Sequence, residues 1–224
     1  MSKKTLYTVA FLFLYVFIST VSFGQAPVAN FTSNVSGGCA PLVVNFQDQS
    51  TGNPTTWTWD LGNSSTSSKA NPSVFYFTPG VYQIKLTVTN ASGTSTQTGT
   101  ITVYENPAPD FVSDFQQGCA PLKVQFTDQS TAGTGNTNAT WAWDFGNGTK
   151  SSDQNPVVEY NTPGTFPVVL KVTNDKGCSK VVTKTNYINA TPGVQPSFTT
   201  TVPSPCAAPF PVIFTNTSTG PGHI

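Results

Sequence analysis

Charged residues are scarce, and arginine is absent. The 224-residue chain has one histidine, one methionine and only 9% charged residues, with a formal net charge of zero. Nucleic-acid-binding proteins neutralise phosphates with clustered cations, so this composition argues against that class. Disordered tails are charged and poor in aromatics, whereas aromatic residues make up 12% of this chain. The abundance of Ser, Thr, Asn, Gln and Gly is typical of an exported β-rich protein with a neutral polar surface.

The N-terminus carries the apolar run that stands apart from the rest of the sequence. Lys3 and Lys4 precede a run of about 16 residues, Leu6 to Val21, and small residues follow it at Ser22 and Gly24. This is the layout of a secretory signal peptide, whereas a spanning helix needs about 20 apolar residues. We predict a signal peptide over residues 1–24 and a secreted or cell-surface location. An uncleaved anchor is the alternative.

Internal repeats organise the remaining chain. The segment CAPLVVNFQDQST at 39–51 returns as CAPLKVQFTDQST at 119–131 and, with one inserted residue, as CAAPFPVIFTNTST at 206–219. We predict domains at 27–104 (repeat 1), 108–190 (repeat 2) and 195–224 (a partial third copy). Because the third copy stops after its first element, we expect the chain to be a piece of a longer protein. The joints are short and rich in proline, which predicts semi-rigid spacing.

Hydrophobic residues alternate with a period of two. Leu42, Val44 and Phe46 alternate with polar or exposed positions, and Leu122, Val124 and Phe126 repeat the pattern. A strand places i, i+2 and i+4 on one face, so these segments are strands with one buried side. Short strands with frequent turn residues predict an all-β fold of antiparallel β-sandwiches. Four extra residues in repeat 2, within AGTGNTNAT, are predicted to lie in a loop.

The segments WTWDLGN and WAWDFGN are the most conspicuous motif of the two repeats. Alternation places the tryptophans on one core-facing side of a strand, and the aspartate is expected to cap the Gly/Asn turn that follows. We interpret these residues as a structural motif, since a folding requirement recurs in every copy. A metal-binding, sugar-binding or catalytic group is the alternative. The residues are Trp57, Trp59, Asp60 and Gly62 in repeat 1, and Trp141, Trp143, Asp144 and Gly146 in repeat 2.

These motifs resemble the PKD domain, an immunoglobulin-like sandwich. The family pattern runs W-D-F-G-D-G, then N-P and an aromatic residue, then P-G-x-Y/F, and ends V-x-N. Both repeats follow it in order, but Asn63 and Asn147 replace the second aspartate. Some PKD domains bind calcium through acidic loop residues, so this replacement puts calcium binding in doubt. The resemblance implies tandem immunoglobulin-like sandwiches with a truncated third copy.

The resemblance also implies a modest set of functions. PKD domains look like extracellular spacers and binding modules, and arrays that begin GCAPL resemble surface and secreted proteins of Bacteroidetes-type bacteria. We expect a non-catalytic spacer or interaction module that takes part in adhesion or presents a terminal domain. The alternative is an accessory region that engages the substrate of an exported polysaccharide- or protein-degrading enzyme. The expected partner is a protein or polysaccharide at the cell exterior, with membrane attachment only through a C-terminal anchor outside this sequence.

Four cysteines in an exported chain suggest disulfides. Cys119 and Cys178 both lie at predicted strand ends of repeat 2, so we predict a disulfide between them. In repeat 1, Thr94 occupies the position that matches Cys178, which leaves Cys39 without a partner inside its own repeat. Cys39 is therefore expected to be a buried thiol, and Cys206 is expected to find a partner only beyond Ile224.

Enzyme chemistry has little support in this sequence. The histidine is His223, so no Ser-His-Asp or Cys-His arrangement can be assembled inside a repeat. Without a CxxC or Cys/His cluster, we expect neither a metal site nor a cofactor. Exposed aromatics on which sugar rings stack would favour the accessory alternative, and the candidates are Phe75, Phe77 and Tyr104. We interpret these three as partial core or domain-joint residues, and the sugar-stacking role is the alternative.

Overall fold

The computed structural model describes residues 24–201 and 212–220, and the signal-peptide segment and Cys206 lie outside them. Repeat 1 contains eight strands in two sheets. One sheet has the order β1-β3-β6 and the other the order β2-β8-β7-β4-β5. The strands are β1 Phe31–Ser33, β2 Gly37–Cys39, β3 Leu42–Asp48, β4 Thr56–Asp60, β5 Thr66–Ser67, β6 Ser73–Tyr76, β7 Gly80–Asn90 and β8 Gly93–Tyr104.

Repeat 2 reproduces this topology. Its sheets have the orders β14-β11-β9 and β10-β16-β15-β12-β13. All pairings are antiparallel except that β10 runs parallel to β16, as β2 runs parallel to β8. The strands are β9 Phe111–Ser113, β10 Gln117–Cys119, β11 Leu122–Asp128, β12 Asn138–Asp144, β13 Lys150–Ser151, β14 Val157–Tyr160, β15 Gly164–Asn174 and β16 Ser179–Thr191.

Each pair of sheets encloses its own apolar core. In β3 the burial alternates so that Val44 and Phe46 are inside while Val43 and Asn45 face outward, as period two requires. Trp59 is fully buried and meets the Phe31 ring edge-on at 5.2 Å between centroids. Burial of one such aromatic side chain contributes about 1.5–3 kcal/mol to folding. The all-β sandwich architecture predicted from the alternation is confirmed.

The third copy begins in the same way as the other two. Its strands β17 (Phe198–Thr201) and β18 (Ile213–Asn216) form an antiparallel pair in which Phe198 faces Asn216. The corresponding pairs in the complete repeats are Phe31 with Asp48 and Phe111 with Asp128. Each copy also has an isolated bridge ahead of this pair, between residues 28 and 51, 108 and 131, and 195 and 219. The paired positions are therefore separated by one more residue in the third copy than in the complete repeats.

No membrane-crossing helix is found in the part of the chain that the structure describes.

Candidate functional site

The tryptophan motif lies inside each sandwich rather than at an open surface. Trp59 and Trp143 are buried, and each indole Nε1 donates to a backbone carbonyl, that of Lys69 or Asp153, at 2.9 Å. The half-buried Trp57 and Trp141 donate instead to carboxylates, Asp48 at 2.7 Å and Asp128 at 2.8 Å. All four indole N–H groups are thus satisfied by the protein itself, as buried tryptophans require.

The aspartate and glycine of the motif form the turn after the strand. Asp60 Oδ1 accepts a hydrogen bond from Gly62 N, and Asp144 Oδ1 accepts one from Gly146 N, both at 3.0 Å. Gly62 has a φ of 76°, and a Cβ at that position would lie 2.6 Å from the Gln83 carbonyl oxygen. Only glycine combines this backbone conformation with so close an approach. The Gly146 N–H and then Lys150 hold the pKa of Asp144 below its usual value.

The joint between the repeats holds a covalent cross-link that the sequence analysis assigned wrongly. Cys178 forms a disulfide with Cys39 of repeat 1, across a Cα–Cα distance of 5.5 Å, and Cys119 is an exposed free thiol. The predicted bridge between Cys119 and Cys178 is therefore absent from the structure. The expectation that Cys39 is an unpaired thiol is also wrong, because its partner belongs to the next repeat.

Strand length explains why the predicted bridge cannot form. Cys119 lies opposite Thr191 at the end of β16, whereas Cys178 immediately precedes the first residue of that strand. A strand of 13 residues rising about 3.3 Å per residue separates the two cysteines by about 40 Å. A disulfide needs Cα atoms within about 7 Å. Two cysteines at opposite ends of one sandwich therefore cannot pair with each other. Each can pair only with a cysteine of the neighbouring repeat, at the joint where the ends of two consecutive sandwiches are in contact.

An asparagine at the end of β15 fixes the hairpin that carries Cys178. Asn174 is 2% exposed, and its amide donates to the carbonyls of Glu105 and Ala132, both at 3.0 Å. Its Oδ1 accepts from the backbone N of Lys176 and of Cys178. Asn174 thereby ties the hairpin to the linker and sets the position of Cys178.

Repeat 1 uses Asn90 in the same way. Its amide donates to the carbonyls of Gln25 and Gly52, which occupy the positions of Glu105 and Ala132. The sequence analysis did not identify this role. The signal was present in the segments LTVTN and LKVTN, both of which end in asparagine.

The four-residue insertion of repeat 2 contacts the linker between the repeats. The Thr134 backbone N donates to the Glu105 carboxylate at 2.7 Å. This bond, together with a second bond from the Thr134 hydroxyl, lowers the pKa of Glu105. The insertion is also tied to the hairpin, because Thr137 N donates to Asp175 at 3.0 Å. On the other side, the Asn106 amide donates to the Ala40 carbonyl, next to Cys39. These bonds connect linker, hairpin and disulfide into one joint.

An open groove of about 590 Å³ runs along this joint. Tyr104, one of the three aromatic candidates, lines it together with residues of both repeats and the linker. The remaining lining residues are Pro79, Gly80, Val81, Thr102, Val103, Glu105, Thr134, Gly135, Asn136 and Lys176.

Phe75 and Phe77 form an exposed aromatic pair on repeat 1, which we call the Phe75/Phe77 face. Their side chains are 56% and 73% exposed, and the two rings stack at 6.0 Å with an interplanar angle of 13°. Alternation in and after β6 turns Tyr76 inward and both phenylalanines outward. These two residues are therefore not part of the core. Repeat 2 has Glu159 and Asn161 at the matching positions.

Carboxylates and thiols of the described residues do not gather into a cluster of three or more that could hold a metal ion. The carboxylates of Asp48 and Asp60 each accept hydrogen bonds from backbone or indole N–H groups of the fold.

Comparisons with known proteins agree with the repeat architecture. The family model described as PKD domain matches residues 24–105 and 104–190. The pre-pro-metalloprotease PrtV of Vibrio cholerae is 31% identical over 160 residues, which are 70% of this chain and 17% of that protein. The chain therefore spans under a fifth of the length of this relative. Because the relative comes from Vibrio, the resemblance to proteins of Bacteroidetes-type bacteria stays a prediction.

Solved structures of single domains are similar to parts of the chain. The PKD1 domain of Vibrio anguillarum Epp is 30% identical and covers 39% of this chain and 98% of its own, with a TM-score of 0.34. The PKD1 domain of the Vibrio cholerae metalloprotease PrtV is 28% identical and covers 38% of this chain and 99% of its own, with a TM-score of 0.33.

Proposed function

Because the chain belongs to the PKD domain family, we propose that it is a non-catalytic extracellular spacer that holds neighbouring segments at a fixed distance and orientation. Domains of this family are generally non-catalytic, and a disulfide is typical of proteins outside the reducing cytosol. The proposed biological use is adhesion or the presentation of a terminal domain away from the cell.

The cross-linked joint is the observation that carries this proposal. Consecutive domains move relative to one another by default unless their interface is large or otherwise constrained. Here the disulfide between Cys39 and Cys178 and the bonds of Asn106 and Asn174 hold the two repeats together at several points. A protein that only tethered two functions flexibly would need none of these contacts.

Small-angle X-ray scattering of the oxidised chain and of Cys39→Ser tests the spacer. A single narrow distribution of dimensions is expected for the oxidised chain, and a broader one for the variant. Cys119→Ser is the matched control, because it removes a thiol without touching the joint. Equally broad distributions for the oxidised chain and for Cys39→Ser would contradict the proposal.

The Phe75/Phe77 face favours a second candidate function, engagement of a substrate for an associated enzyme. Two near-parallel exposed rings offer apolar faces on which a sugar ring or an apolar peptide side chain can stack. The metalloprotease PrtV, which shares the repeats, is an enzyme of this kind by its name, and this likeness supports an accessory role.

Retention on insoluble polysaccharides and on denatured protein beads tests this second candidate. The double variant Phe75→Glu/Phe77→Asn installs the residues that repeat 2 carries at these positions, so the fold tolerates them. Retention by the natural chain and its loss in the variant would support the accessory role. Absence of retention on every polymer by the folded natural chain would exclude it.

A further inference from the structure

Cys119 occupies the same place in repeat 2 that the cross-linked Cys39 occupies in repeat 1. Both are the last residue of a three-residue edge strand that runs parallel to the final strand of the sandwich. Cys39 lies opposite Tyr104, and Cys119 lies opposite Thr191. In both repeats the following alanine donates its backbone N–H to that same opposing residue, at 3.0 Å and 2.8 Å.

The joint that follows repeat 2 repeats the geometry of the first joint. Gly193, at the position of Asn106, approaches the Ala120 carbonyl, so that a Cβ on this glycine would lie 3.3 Å from its oxygen. The next copy then begins with the bridge between Gln195 and Thr219, the counterpart of that between Ala108 and Thr131. The chain therefore passes Cys119 as it leaves repeat 2 and begins the third copy, just as it passes Cys39 as it leaves repeat 1 and begins repeat 2.

The hairpin position shows which cysteine can reach this thiol. Cys178 follows the turn of the β15–β16 hairpin, at the end of repeat 2 that faces repeat 1. It is bonded there to Cys39, which ends the edge strand β2 of repeat 1. Repeat 1, which no repeat precedes in this sequence, has Thr94 at the hairpin position. Of the two complete repeats, the one with a hairpin cysteine is the one that follows an edge-strand cysteine in this sequence.

We propose that Cys119 is a second cross-linking site, whose partner is the hairpin cysteine of the PKD domain that follows repeat 2. In this step the Cys119 thiol and the hairpin thiol lose two protons and two electrons and form one Sγ–Sγ bond. A disulfide oxidant, such as oxidised glutathione, accepts them and leaves as two thiols, through a mixed disulfide. The inference rests on the joint geometry and does not depend on the proposed function.

The first test uses the natural chain. Under non-reducing conditions iodoacetamide is expected to alkylate Cys119, whereas Cys39 and Cys178 react only after reduction. Peptide mass mapping reads each cysteine separately. Alkylation of Cys39 without reduction, or a peptide joining Cys119 to Cys178, would overturn the pairing rule on which the proposal rests.

The second test supplies the missing partner. A fusion keeps residues 24–197 and continues with a second copy of residues 111–191, in which the counterpart of Cys119 is serine. After oxidation with oxidised glutathione, Cys119 is expected to resist alkylation and to appear in a peptide joined to the appended hairpin cysteine, while Cys39 stays joined to Cys178. In the matched control the appended hairpin cysteine is threonine, as at Thr94, and Cys119 is expected to be alkylated.

Two outcomes of the fusion experiment would overturn the proposal. Free Cys119 in the fusion, with the appended copy folded by circular dichroism, would overturn the proposal. Protection of Cys119 in the threonine control as well would show that its partner is elsewhere and would also overturn it. If the appended copy does not fold, the alkylation pattern of the natural chain still tests the pairing rule.

Discussion

The hairpins of the two repeats share a framework and differ in one chemical group. In both, an asparagine at the end of the first strand of the hairpin, β7 or β15, binds the carbonyl of the incoming chain, Gln25 for Asn90 and Glu105 for Asn174. Four residues later repeat 1 has Thr94 and repeat 2 has Cys178. The asparagine holds the hairpin at the end of the sandwich in both repeats. In repeat 2 the cysteine at this hairpin also forms a disulfide with the previous repeat.

The loop that follows β3 in repeat 1 and β11 in repeat 2 also differs between the repeats. Repeat 2 carries the insertion with Thr134, which binds Glu105 of the linker, whereas repeat 1 turns directly at Gly52 and Asn53. Both of these differences lie at the end of repeat 2 that faces repeat 1, while the buried Trp59 and Tyr76 of the first core recur as Trp143 and Tyr160 in the second. The recurring residues build the sandwich, and these two differences attach one sandwich to the other.

The largest effect is expected from removal of the inter-repeat disulfide. On the chain-entropy model a bridge with a sequence separation of 139 stabilises the pair of repeats by about 5 kcal/mol. Cys39→Ser/Cys178→Ser should lower the free energy of unfolding measured in guanidinium chloride by up to about this amount. Cys119→Ser should leave it unchanged. An equal loss in both variants would contradict the assignment of the bridge.

Replacement of the buried tryptophans tests whether the two cores are equivalent. Trp59→Ala and Trp143→Ala should each cost about 3–5 kcal/mol, because both indoles are almost fully buried and no other group fills the cavity. Thermal unfolding should show a lower melting temperature for repeat 1 in Trp59→Ala and for repeat 2 in Trp143→Ala. A variant that kept its stability and lost binding to a ligand would restore the binding interpretation of the motif.

Variants of Asn90 and Asn174 distinguish the role of the asparagine within its own sandwich from its role in positioning the inter-repeat disulfide. Asn174→Ala should cost about 1–3 kcal/mol, because it leaves the carbonyls of Glu105 and Ala132 without their partner. Asn90→Ala should cost less, since Asn90 is only partly buried. Only Asn174→Ala should slow the oxidative formation of the disulfide, which timed alkylation measures. Equal rates in the two variants would show that Asn174 does not position Cys178.

Alkaline pH provides a milder probe of the cores. Burial, then Tyr82 and Asp60, raise the pKa of Tyr76 from 10.0 to about 12, while its hydroxyl donates to the Leu61 carbonyl. The neutral form is favoured in the fold, so this stabilisation is complete below pH 10 and is lost as the pH rises towards 12. Tyr76→Phe should flatten the decline of repeat 1 in a melting-temperature series over this range. An unchanged slope would exclude Tyr76 as its source.

The smallest effect is expected at the linker carboxylate. Hydrogen bonds from Thr134 lower the pKa of Glu105 from 4.5, so the contact is complete above about pH 4.5 and is lost as the pH falls through the lowered value. The protection factor of the Thr134 amide, which is the ratio of its intrinsic to its observed exchange rate at each pH, should therefore fall in acid. Glu105→Gln should remove this pH dependence, and an acid response that persists in the variant would assign it to another group.

Sequence patterns were sufficient for the sandwich and insufficient for the joint. Alternation at Val44 and Phe46 reports which side of a strand is buried, because that pattern is local. The pairing of cysteines depends on which strand ends share a pole, and this requires strand lengths and sheet order. The prediction for Cys119 and Cys178 took two strand ends as neighbours when they are the opposite ends of β16.

The aromatic candidates show the same limit. Phe75 and Phe77 flank Tyr76, so alternation alone places them on the outer face, and their interpretation as partial core residues is wrong because the rings are 56% and 73% exposed. Whether an outward residue is covered depends on the surrounding chain, and nothing covers these rings in the described residues. Tyr104, by contrast, lies at the joint because the final strand of repeat 1 leads directly into the linker.

The disulfide also changes how the chain carries a pulling force. Tension applied at the two ends passes from β1 to Cys39, crosses to Cys178 and leaves along β16. The 139-residue span between the two cysteines is outside this path, and it corresponds to about 490 Å of extended chain at about 3.5 Å per residue. The four tryptophans are in that span, whereas Ala29 of the first core and Ile188 and Ala190 of the second core are outside it. Under oxidising conditions the pair of repeats can therefore lengthen only through the segments before Cys39 and after Cys178, and reduction restores the full reserve of length.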